Sequence, residues 1–464
     1  MKSTPTIQSC RVFWHVPIAG SLKNRFPVGK MARNNEGHLY FAYHEDWLGH
    51  HLEISPGFLP LENGTTPVSL TDPQSTGFVD DPDVQKEFRG LPGPFYDSLP
   101  DKWGMKLIAH HAGKDGDLID PIEILCHRGN RCMGAFSYEP AGHPVKNETV
   151  TAETLNLYCQ QAAQLAAGIE PDPLGKTIMD ALEDSGGSAG GMRPKMLLAI
   201  HHDNLAENHP GTPTLRKLAG YDHQDMPPDF QPWLLKFDTE PEKCRGLIEQ
   251  AYADMARAAG VIMPETTLIR TQSTKGVQHA HFTTRRFDRQ KIDNKWHRVH
   301  MHSAAGLLRK DFNKLDLDYN ELLQLTHIIT QDPAQVRQIY TRAVFNIFAG
   351  NSDDHAKNHA FLFDHTGKWK LSPAYDLTPS SLRTQPGMRS TAVLGNKNEK
   401  IPLKTLIELA ETHEISDPMA IIQQVADAIK QWGDFAKSTG VPRPLIERHG
   451  QRIASIMPKR QCRY

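Results

Sequence analysis

The ten residues GNSDDHAKNH, at positions 350–359, decide how this chain is interpreted. They contain two aspartates, two histidines, two asparagines and one lysine. The apolar stretch VRQIYTRAVFNIFAG leads into them at 336–350, and the aromatic stretch HAFLF follows at 359–363. A catalytic loop, a metal site and a solvated turn are the three competing interpretations. The apolar stretches on both sides disfavour a solvated turn.

The spacing within this segment is typical of phosphoryl transfer. Asp353 and Asn358 are five positions apart, as are the aspartate and asparagine of the protein-kinase motif H-R-D-x-x-x-x-N. In that motif the aspartate accepts the proton of the substrate hydroxyl, and the asparagine offers a neutral oxygen to Mg²⁺. A hairpin with a turn at DHTG, 364–367, is expected next. Asp376, in SPAYDL after the hairpin, lies where a kinase carries its main Mg²⁺ ligand.

A glycine-rich stretch, SGGSAGG at 185–191, lies upstream of this segment. Glycines allow several backbone N–H groups to point toward one place, and such a nest binds phosphate. No Gly-Lys-Ser/Thr follows, so this is not a Walker loop. The glycines alone do not distinguish a phosphate-binding loop from a surface turn. Lys195 follows at the start of an expected strand.

A lysine inside an apolar strand is the second indication of a nucleotide-binding site. PWLLKFD at 232–238 places Lys236 after a tryptophan and two leucines, where an ammonium is costly without a counter-ion. A phosphate-binding lysine and an edge-strand lysine that reaches water are the two alternatives. Glu249, on the helix expected next, is placed to orient Lys236, as a helix glutamate does in kinases.

A metal-dependent hydrolase is the competing enzyme class. Asp353, Asp354, His355 and His359 would then bind one or two metal ions. Adjacent residues of one loop rarely ligate together, however, and Mg²⁺ with a phosphate substrate needs few protein ligands. The order of the parts favours a kinase: a glycine-rich loop, a strand lysine, a helix glutamate, the D-x-x-x-x-N loop and the hairpin aspartate.

Composition limits the remaining classes. The chain has 464 residues, 39% hydrophobic and 23% charged, which predicts a soluble globular protein of two or three domains. A net charge of −2, from 52 basic and 54 acidic residues, excludes nucleic-acid binding through overall positive charge. The first residues lack the apolar core of a signal peptide, and no apolar run is long enough to span a bilayer. With six scattered cysteines and no CxxC pair, we expect a cytoplasmic protein without membrane contact.

Five motifs together resemble those of HipA-type kinases, the toxins of bacterial type II toxin–antitoxin systems. They are GGSAGGMRPK, WLLKFD, RRFDR, NSDDHAKNHAFLF and SPAYDLTPS. The resemblance covers roughly residues 10–440 and implies ATP- and Mg²⁺-dependent phosphorylation of protein serine or threonine. It implies that Asp353 is the catalytic base, that Asn358 and Asp376 hold Mg²⁺, and that Lys236 contacts ATP phosphates.

The resemblance also implies regulation and partners. Ser188 matches the family's autophosphorylated serine, and a phosphate there would repel ATP from the loop and silence the enzyme. An aminoacyl-tRNA synthetase is the implied substrate class, with growth arrest as the result. A small helix-turn-helix antitoxin is the implied partner, and operator DNA is contacted mainly through it. A mainly non-catalytic subunit of that repressor complex and a metal-dependent phosphohydrolase are the alternative functions.

The remaining site residues have supporting roles. His355 is expected to orient the loop by hydrogen bonds, and Lys357 to stabilise charge on the transferred phosphoryl group. Arg286 and Asp288 are expected to form a structural ion pair. The residues expected to bind ATP are Gly187, Ser188, Ala189, Gly190, Gly191, Lys195, Lys236 and Glu249.

The fold expected from these elements is α+β. The resemblance implies a bilobed, protein-kinase-like fold with a mixed α/β N-terminal lobe and a mainly helical C-terminal lobe. We expect a small N-terminal subdomain at 1–140, a nucleotide-binding part at 141–270 and a catalytic lobe at 271–464. From about residue 320 onward, the sequence predicts helices with one hairpin among them.

Overall fold

The computed structural model describes residues 8–21, 23–76, 80–141, 148–169, 178, 182–183, 192–201, 215–217, 226, 229–380 and 385–458. Its strands are β1 (Ser9–Trp14), β2 (Phe26–Arg33), β3 (Leu39–Tyr43), β4 (Phe136–Glu139), β5 (Glu148–Val150), β6 (Lys195–His201), β7 (Leu215–Lys217), β8 (Phe230–Lys236), β9 (Thr266–Gln272), β10 (Gln278–Arg285), β11 (Arg289–Ile292), β12 (Lys295–Arg298), β13 (His300–Ser303), β14 (Leu317–Asp318), β15 (Ala360–Phe363), β16 (Trp369–Leu371), β17 (Met388–Val393) and β18 (Asn396–Asn398).

Helices alternate with these strands and dominate the C-terminal part. They are α1 (Glu45–Leu48), α2 (Pro73–Thr76), α3 (Pro82–Phe88), α4 (Gly93–Tyr96), α5 (Lys102–Ala112), α6 (Pro121–Arg128), α7 (Ala152–Ala166), α8 (Arg245–Ala258), α9 (Ala304–Leu308), α10 (Tyr319–Thr330), α11 (Pro333–Phe348), α12 (Leu403–Thr412), α13 (Pro418–Lys430), α14 (Trp432–Thr439) and α15 (Arg443–Ile456). None of the described helices combines the length and the apolar character needed to cross a bilayer.

The chain forms two compact units, each built from separate stretches. The first comprises Met1–Thr239, Ile269–Arg309 and Leu362–Lys368, and the second Glu240–Leu268, Lys310–Phe361 and Trp369–Tyr464. The first unit mixes sheets and helices, and the second is mainly helical, so the predicted α+β class is confirmed. The boundaries predicted near residues 140 and 270 stay a prediction.

The two larger sheets of the first unit organise its core. One has the strand order β3-β2-β1-β4, and the other the order β5-β7-β6-β8-β10-β9. Helices α5 and α7 bury Trp103 and Leu155 in one core with Leu198 of β6. Helix α5 begins after Asp101, whose carboxylate accepts a hydrogen bond from the Gly104 backbone N–H at 2.8 Å. This cap satisfies one of the N–H groups that every helix leaves unpaired at its start.

The predicted lysine strands are confirmed as β6 and β8, which pair antiparallel and place Lys195 opposite Lys236. Directly opposite side chains of such a pair lie on the same face. That face also carries Leu197 and Leu234, which belong to a second buried cluster. Because β8 lies between β6 and β10, the edge-strand alternative for Lys236 is wrong.

Helices build most of the second unit. Helix α10 packs against α11, and α8 packs against α13 and α14. Helix α11 begins at Pro333, directly after Asp332, whose side chain accepts a hydrogen bond from the Ala334 backbone N–H at 2.9 Å. After the 350–359 loop the predicted hairpin is present, because the Ser372 N–H donates to the Ala360 carbonyl at 2.9 Å.

The prediction of one hairpin in this region is wrong, because β17 and β18 form a second one. Strand β17 also pairs in parallel with β14. The turn between β17 and β18 is Leu394-Gly395, and both residues have positive φ, 49° and 78°. Such turns usually carry Asn-Gly or Asp-Gly, since a leucine is strained in this conformation. The sequence therefore lacked the usual turn signal.

Candidate functional site

Exposed and buried side chains alternate along the loop that follows α11. Asp353 is exposed, and His355 and Lys357 are half-buried, whereas Asp354 and Asn358 are buried. A short 3-10 turn, Ala356–Asn358, closes the segment. The side chains with predicted catalytic roles thus reach the surface, and those between them are available to anchor the loop.

Asp353 and Asn358, predicted from their spacing, are brought together. The backbone N–H of Asp353 donates to Ser380 Oγ at 3.1 Å, and Ser380 Oγ donates to Asn351 Oδ1 at 2.9 Å. Asn358 Nδ2 donates to the Asp353 carbonyl at 2.9 Å. These bonds fix the backbone on which the Asp353 carboxylate is presented.

Asn358 has a buried acceptor that is not satisfied within the described chain. Its Oδ1 is buried and receives no hydrogen bond from any described residue. A buried polar atom without a partner is costly, and each case needs an explanation. An amide oxygen is also a ligand that Mg²⁺ accepts. The donor set therefore fits a bound magnesium ion at this position.

Asp376 lies beside this loop. Its backbone has a φ of +57°, a left-handed conformation that aspartate tolerates better than most residues. The hydroxyl of the preceding Tyr375 donates to the Lys357 carbonyl at 2.6 Å. The Asp376 carboxylate also acts on His355, whose pKa it raises. Asp376 is thus held next to the segment that carries His355, Lys357 and Asn358.

His355 is neutral near pH 7. Its pKa is lowered to about 4, mainly by burial; the Asp376 charge opposes this shift, and the Lys357 ammonium adds to it. The imidazole lies against Phe312, with ring centroids 5.0 Å apart. The Lys357 ammonium lies over the same ring, 4.8 Å from its centroid. Phe312 therefore contacts both half-buried side chains of the loop.

Asp354 anchors the loop from inside. Its carboxylate accepts hydrogen bonds from Arg389, from the Tyr319 hydroxyl at 2.6 Å and from the Thr391 N–H at 3.2 Å. The Thr391 hydroxyl donates to the Asp354 carbonyl. Arg389 and Asp354 are both buried. A buried ion pair with this many hydrogen bonds positions the loop, whereas a single exposed pair would not.

Two further side chains extend this anchoring network. Asn346 of α11 donates to the Tyr319 hydroxyl at 2.9 Å and accepts from Asn351 Nδ2 at 3.0 Å. Arg452 of α15 donates to the Ser380 carbonyl at 2.5 Å and to the Gly350 carbonyl at 3.3 Å. The start of the loop, and Ser380 that bonds to it, are therefore tied to helices of the second unit.

The geometry argues against the metal-hydrolase interpretation. The Asp354 carboxylate is engaged by Arg389 and Tyr319. His359 Nε2 lies 3.3 Å from the Asp354 carbonyl, so this ring nitrogen already has a hydrogen-bond partner. Across the described ranges, no group of three histidine, cysteine, aspartate or glutamate side chains is arranged to hold a metal ion.

The predicted nucleotide-binding residues fall into three groups. Lys195 and Lys236 lie in the first unit, where Lys195 is buried and its ammonium is 2.5 Å from Asp101. Glu249 is a buried residue of α8 in the second unit. Gly187, Ser188, Ala189, Gly190 and Gly191 lie outside the described residues. The ATP-binding role of all of them, and the pairing of Glu249 with Lys236, stay predictions.

Arg286 and Asp288 form the structural ion pair predicted for RRFDR. Arg286 donates to both carboxylate oxygens of Asp288, at 2.8 and 2.6 Å, and both side chains are buried. Asp288 also accepts from Arg289 and from the Gly134 N–H, each at 2.8 Å. Its neighbouring arginines hold the pKa of Asp288 far below the usual range. This pair therefore stabilises the first unit.

The functional residues that sequence reasoning missed are those that hold the loop. They are Phe312, Tyr319, Ser380, Arg389, Thr391 and Arg452. Their contacts with 350–359 span about 30 to 100 positions of sequence, and no local pattern reports such a contact. Of these residues, Ser380 lies within a motif that the sequence analysis quoted, as the last residue of SPAYDLTPS.

Comparison with known families gives two matches. The model of the HipA-like C-terminal domain matches residues 187–433, and the model of the HipA N-terminal domain matches residues 22–139. Both candidate regions, the lysine strands and the 350–359 loop, lie within the first match.

Two curated proteins are similar in sequence. A Haemophilus influenzae protein named "Putative kinase" is 26% identical over 178 residues, which are 36% of this chain and 51% of that protein, about half its length. "Putative kinase Y4mE" of Sinorhizobium fredii is 23% identical over 472 aligned positions, covering 97% of this chain and 90% of that protein.

A solved structure with a similar fold covers nearly the whole chain. It is HipA of Shewanella oneidensis, determined with HipB and operator DNA. The TM-score is 0.62 at 14% identity, with 93% of this chain and 94% of that one covered. At this identity the likeness shows a shared fold.

Proposed function

The chain belongs to the HipA family, and from this premise we propose that it is an ATP- and Mg²⁺-dependent protein serine/threonine kinase that arrests growth as a toxin. The names of the two curated relatives support the kinase class. The observation that carries the proposal is the 350–359 loop, which presents an exposed carboxylate and an unsatisfied buried amide oxygen five positions apart.

The loop residues divide the work of phosphoryl transfer. The exposed Asp353 carboxylate orients the substrate hydroxyl and accepts its proton. Asn358 Oδ1 and the Asp376 carboxylate are the ligands proposed for Mg²⁺, which neutralises charge on the phosphates when bound. Lys357 stabilises charge on the transferred group, and His355 supplies a neutral hydrogen-bonding group beside it, since its pKa of about 4 keeps it uncharged.

The nucleotide is proposed to bind through the first unit's lysines and the glycine-rich loop. Lys195 and Lys236 lie on one face of adjacent strands, where two ammonium groups complement a triphosphate. Gly187 to Gly191 would cradle the phosphates with backbone N–H groups. Glu249 is proposed to orient Lys236, as a helix glutamate does in kinases.

Regulation and partners follow the family resemblance. Ser188 is proposed as an autophosphorylation site, since about −1.5 to −2 units of charge in that loop would repel ATP phosphates. An aminoacyl-tRNA synthetase is the proposed substrate class. A helix-turn-helix antitoxin is the proposed partner, supported by the similar HipA structure that contains HipB and operator DNA.

A mainly non-catalytic role in such a repressor complex is the second candidate. The similar HipA structure with HipB and operator DNA favours it. The two candidates differ in what they require of Asp353, because a subunit that only binds does not need an exposed carboxylate at this position.

Incubation with ATP and Mg²⁺, followed by phosphosite mapping by mass spectrometry, tests the proposal. We expect phosphate on Ser188 in the parent chain and none in Asp353→Asn, which should still bind ATP. Equal phosphorylation of both proteins would contradict the role of Asp353. No phosphate on either, together with no Mg²⁺-dependent ATP binding by calorimetry, would favour the non-catalytic subunit.

A further inference from the structure

A carboxylate from the N-terminal part of the chain reaches the strand lysine. Asp101 Oδ2 lies 2.5 Å from Lys195 Nζ, and both side chains are almost fully buried, with 2% and 3% of their surface exposed. The other oxygen of Asp101 caps α5 by accepting the Gly104 N–H at 2.8 Å. Trp103 of the same helix donates its indole N–H to the Lys195 carbonyl at 3.1 Å. The start of α5 therefore holds both the backbone and the ammonium of Lys195.

The position of Lys195 explains why it needs such a carboxylate. An ammonium removed from water is costly unless an opposite charge and hydrogen bonds compensate. Lys236 lies directly across the antiparallel pair on the same face, and like charges at such positions repel each other. Asp101, whose carboxylate lies 2.5 Å from the Lys195 ammonium, offsets part of this repulsion.

We infer that Asp101 is a positioning residue that holds the Lys195 ammonium where the phosphates of ATP meet it. This inference rests on the proposed kinase function. It assigns an acidic partner to Lys195, whereas Glu249 is proposed to orient Lys236. An ammonium has three N–H donors, so contact with one carboxylate oxygen is compatible with contact to a phosphate. Asp101 acts through Lys195 and does not itself touch the nucleotide.

Charge alone also allows the opposite role for Asp101. A carboxylate bound to a phosphate-binding lysine can compete with phosphate and inhibit binding. The capping bond to Gly104 and the indole bond to Lys195 argue for positioning, because they fix Asp101 and the lysine backbone relative to each other. The two roles predict opposite effects of removing the charge.

Asp101→Asn is the first variant, because asparagine keeps the volume and the capping oxygen but removes the charge. We expect the Kd of Mg²⁺-ATP, measured by calorimetry on the full chain, to rise about tenfold. The ATP concentration that half-saturates autophosphorylation should rise in parallel, with a limiting rate within about twofold of the parent. A purely structural role would lower the active fraction without changing the Kd.

Asp120→Asn is the matched control. Asp120 caps α6 by accepting the Ile122 N–H at 2.8 Å and pairs with Arg33 at 2.6 Å, a partly exposed pair. The Asp120→Asn variant therefore loses an ion pair of a capping aspartate that does not contact Lys195. Its Kd for Mg²⁺-ATP should equal that of the parent chain.

A second comparison uses a double variant in which both charges are removed, so that neither buried group is left without its partner. If Asp101 acts through Lys195, then Lys195→Met and the double variant Lys195→Met with Asp101→Asn should bind ATP equally weakly. A further loss in the double variant would overturn the inference, as would unchanged or tighter ATP binding by Asp101→Asn. A parent chain that binds no Mg²⁺-ATP would instead reject the proposed function.

Discussion

The carboxamide of Asn358 is proposed both to hold the loop backbone and to bind Mg²⁺, and a substitution can separate these two roles. Its Nδ2 bonds to the Asp353 carbonyl, while its Oδ1 is buried without a described donor. In Asn358→Ala, loss of the bond and removal of the unsatisfied oxygen oppose each other, so we expect the free energy of unfolding to change by no more than about 1 kcal/mol. The Mg²⁺ concentration that half-saturates ATP binding should rise at least about tenfold, since even outer-shell changes at metal sites cost this much.

Magnesium titration monitored by calorimetry, with urea unfolding alongside, measures both quantities. Asn320→Ala is the control, because that amide accepts a hydrogen bond from His413 and belongs to α10. An unchanged Mg²⁺ requirement in Asn358→Ala would remove Asn358 from the proposed metal site.

His355 links the loop to the pH dependence of stability. Its pKa is lowered to about 4 in the folded chain by burial, against about 6.5 when unfolded. Between these values only the unfolded state binds the proton, so stability falls as pH drops from about 6.5 and the loss levels off below about 4. His355→Gln should remove this contribution to the pH dependence. Between pH 7 and pH 5 the variant should therefore lose about 2 kcal/mol less unfolding free energy than the parent.

Urea unfolding at the two pH values checks this prediction. The other buried histidines titrate in both proteins, so the difference between parent and variant isolates His355. An equal loss of stability in both would show that His355 ionises normally in the folded chain.

At the level of secondary-structure elements, the β17 strand fixes the loop through one buried ion pair. Arg389→Met leaves the Asp354 carboxylate buried without its cation, which should cost about 3–5 kcal/mol of unfolding free energy. Lys430→Met is the matched control, because it breaks an exposed pair with Asp427 on α13 and should cost at most about 1 kcal/mol. Chemical denaturation of both variants measures the difference, and equal effects would mean that the anchoring network contributes no more than a surface pair.

The same elements show what the sequence could and could not predict. Apolar stretches predicted α8 and the α11 region, and the Asp353–Asn358 spacing identified the loop, because these signals lie within a few consecutive residues. The Arg389 contact with Asp354 joins positions 35 apart, and its strand ends in a Leu-Gly turn without the usual signal. Long-range hydrogen bonds depend on the finished fold, so they become visible only in the structure.

At the scale of the whole molecule, charge limits how the chain reaches DNA. With 52 basic and 54 acidic residues it has no overall attraction to a polyanion, and non-specific DNA binding is mainly a phosphate-charge effect. We therefore expect operator DNA to be bound through the proposed helix-turn-helix partner. In fluorescence anisotropy at about 150 mM salt, the chain alone should bind its operator at least about a hundredfold more weakly than the chain with that partner.

The salt dependence of binding separates the two sources of affinity. If the partner supplies the phosphate contacts, the slope of log affinity against log salt should be nearly the same for the partner alone and for the complex, because each added phosphate contact steepens that slope by about 0.9. A markedly steeper slope for the complex would show that this chain adds a basic face of its own. Tight, sequence-specific binding by the chain alone would contradict the prediction, because a net charge of −2 would then conceal a complete DNA-binding surface.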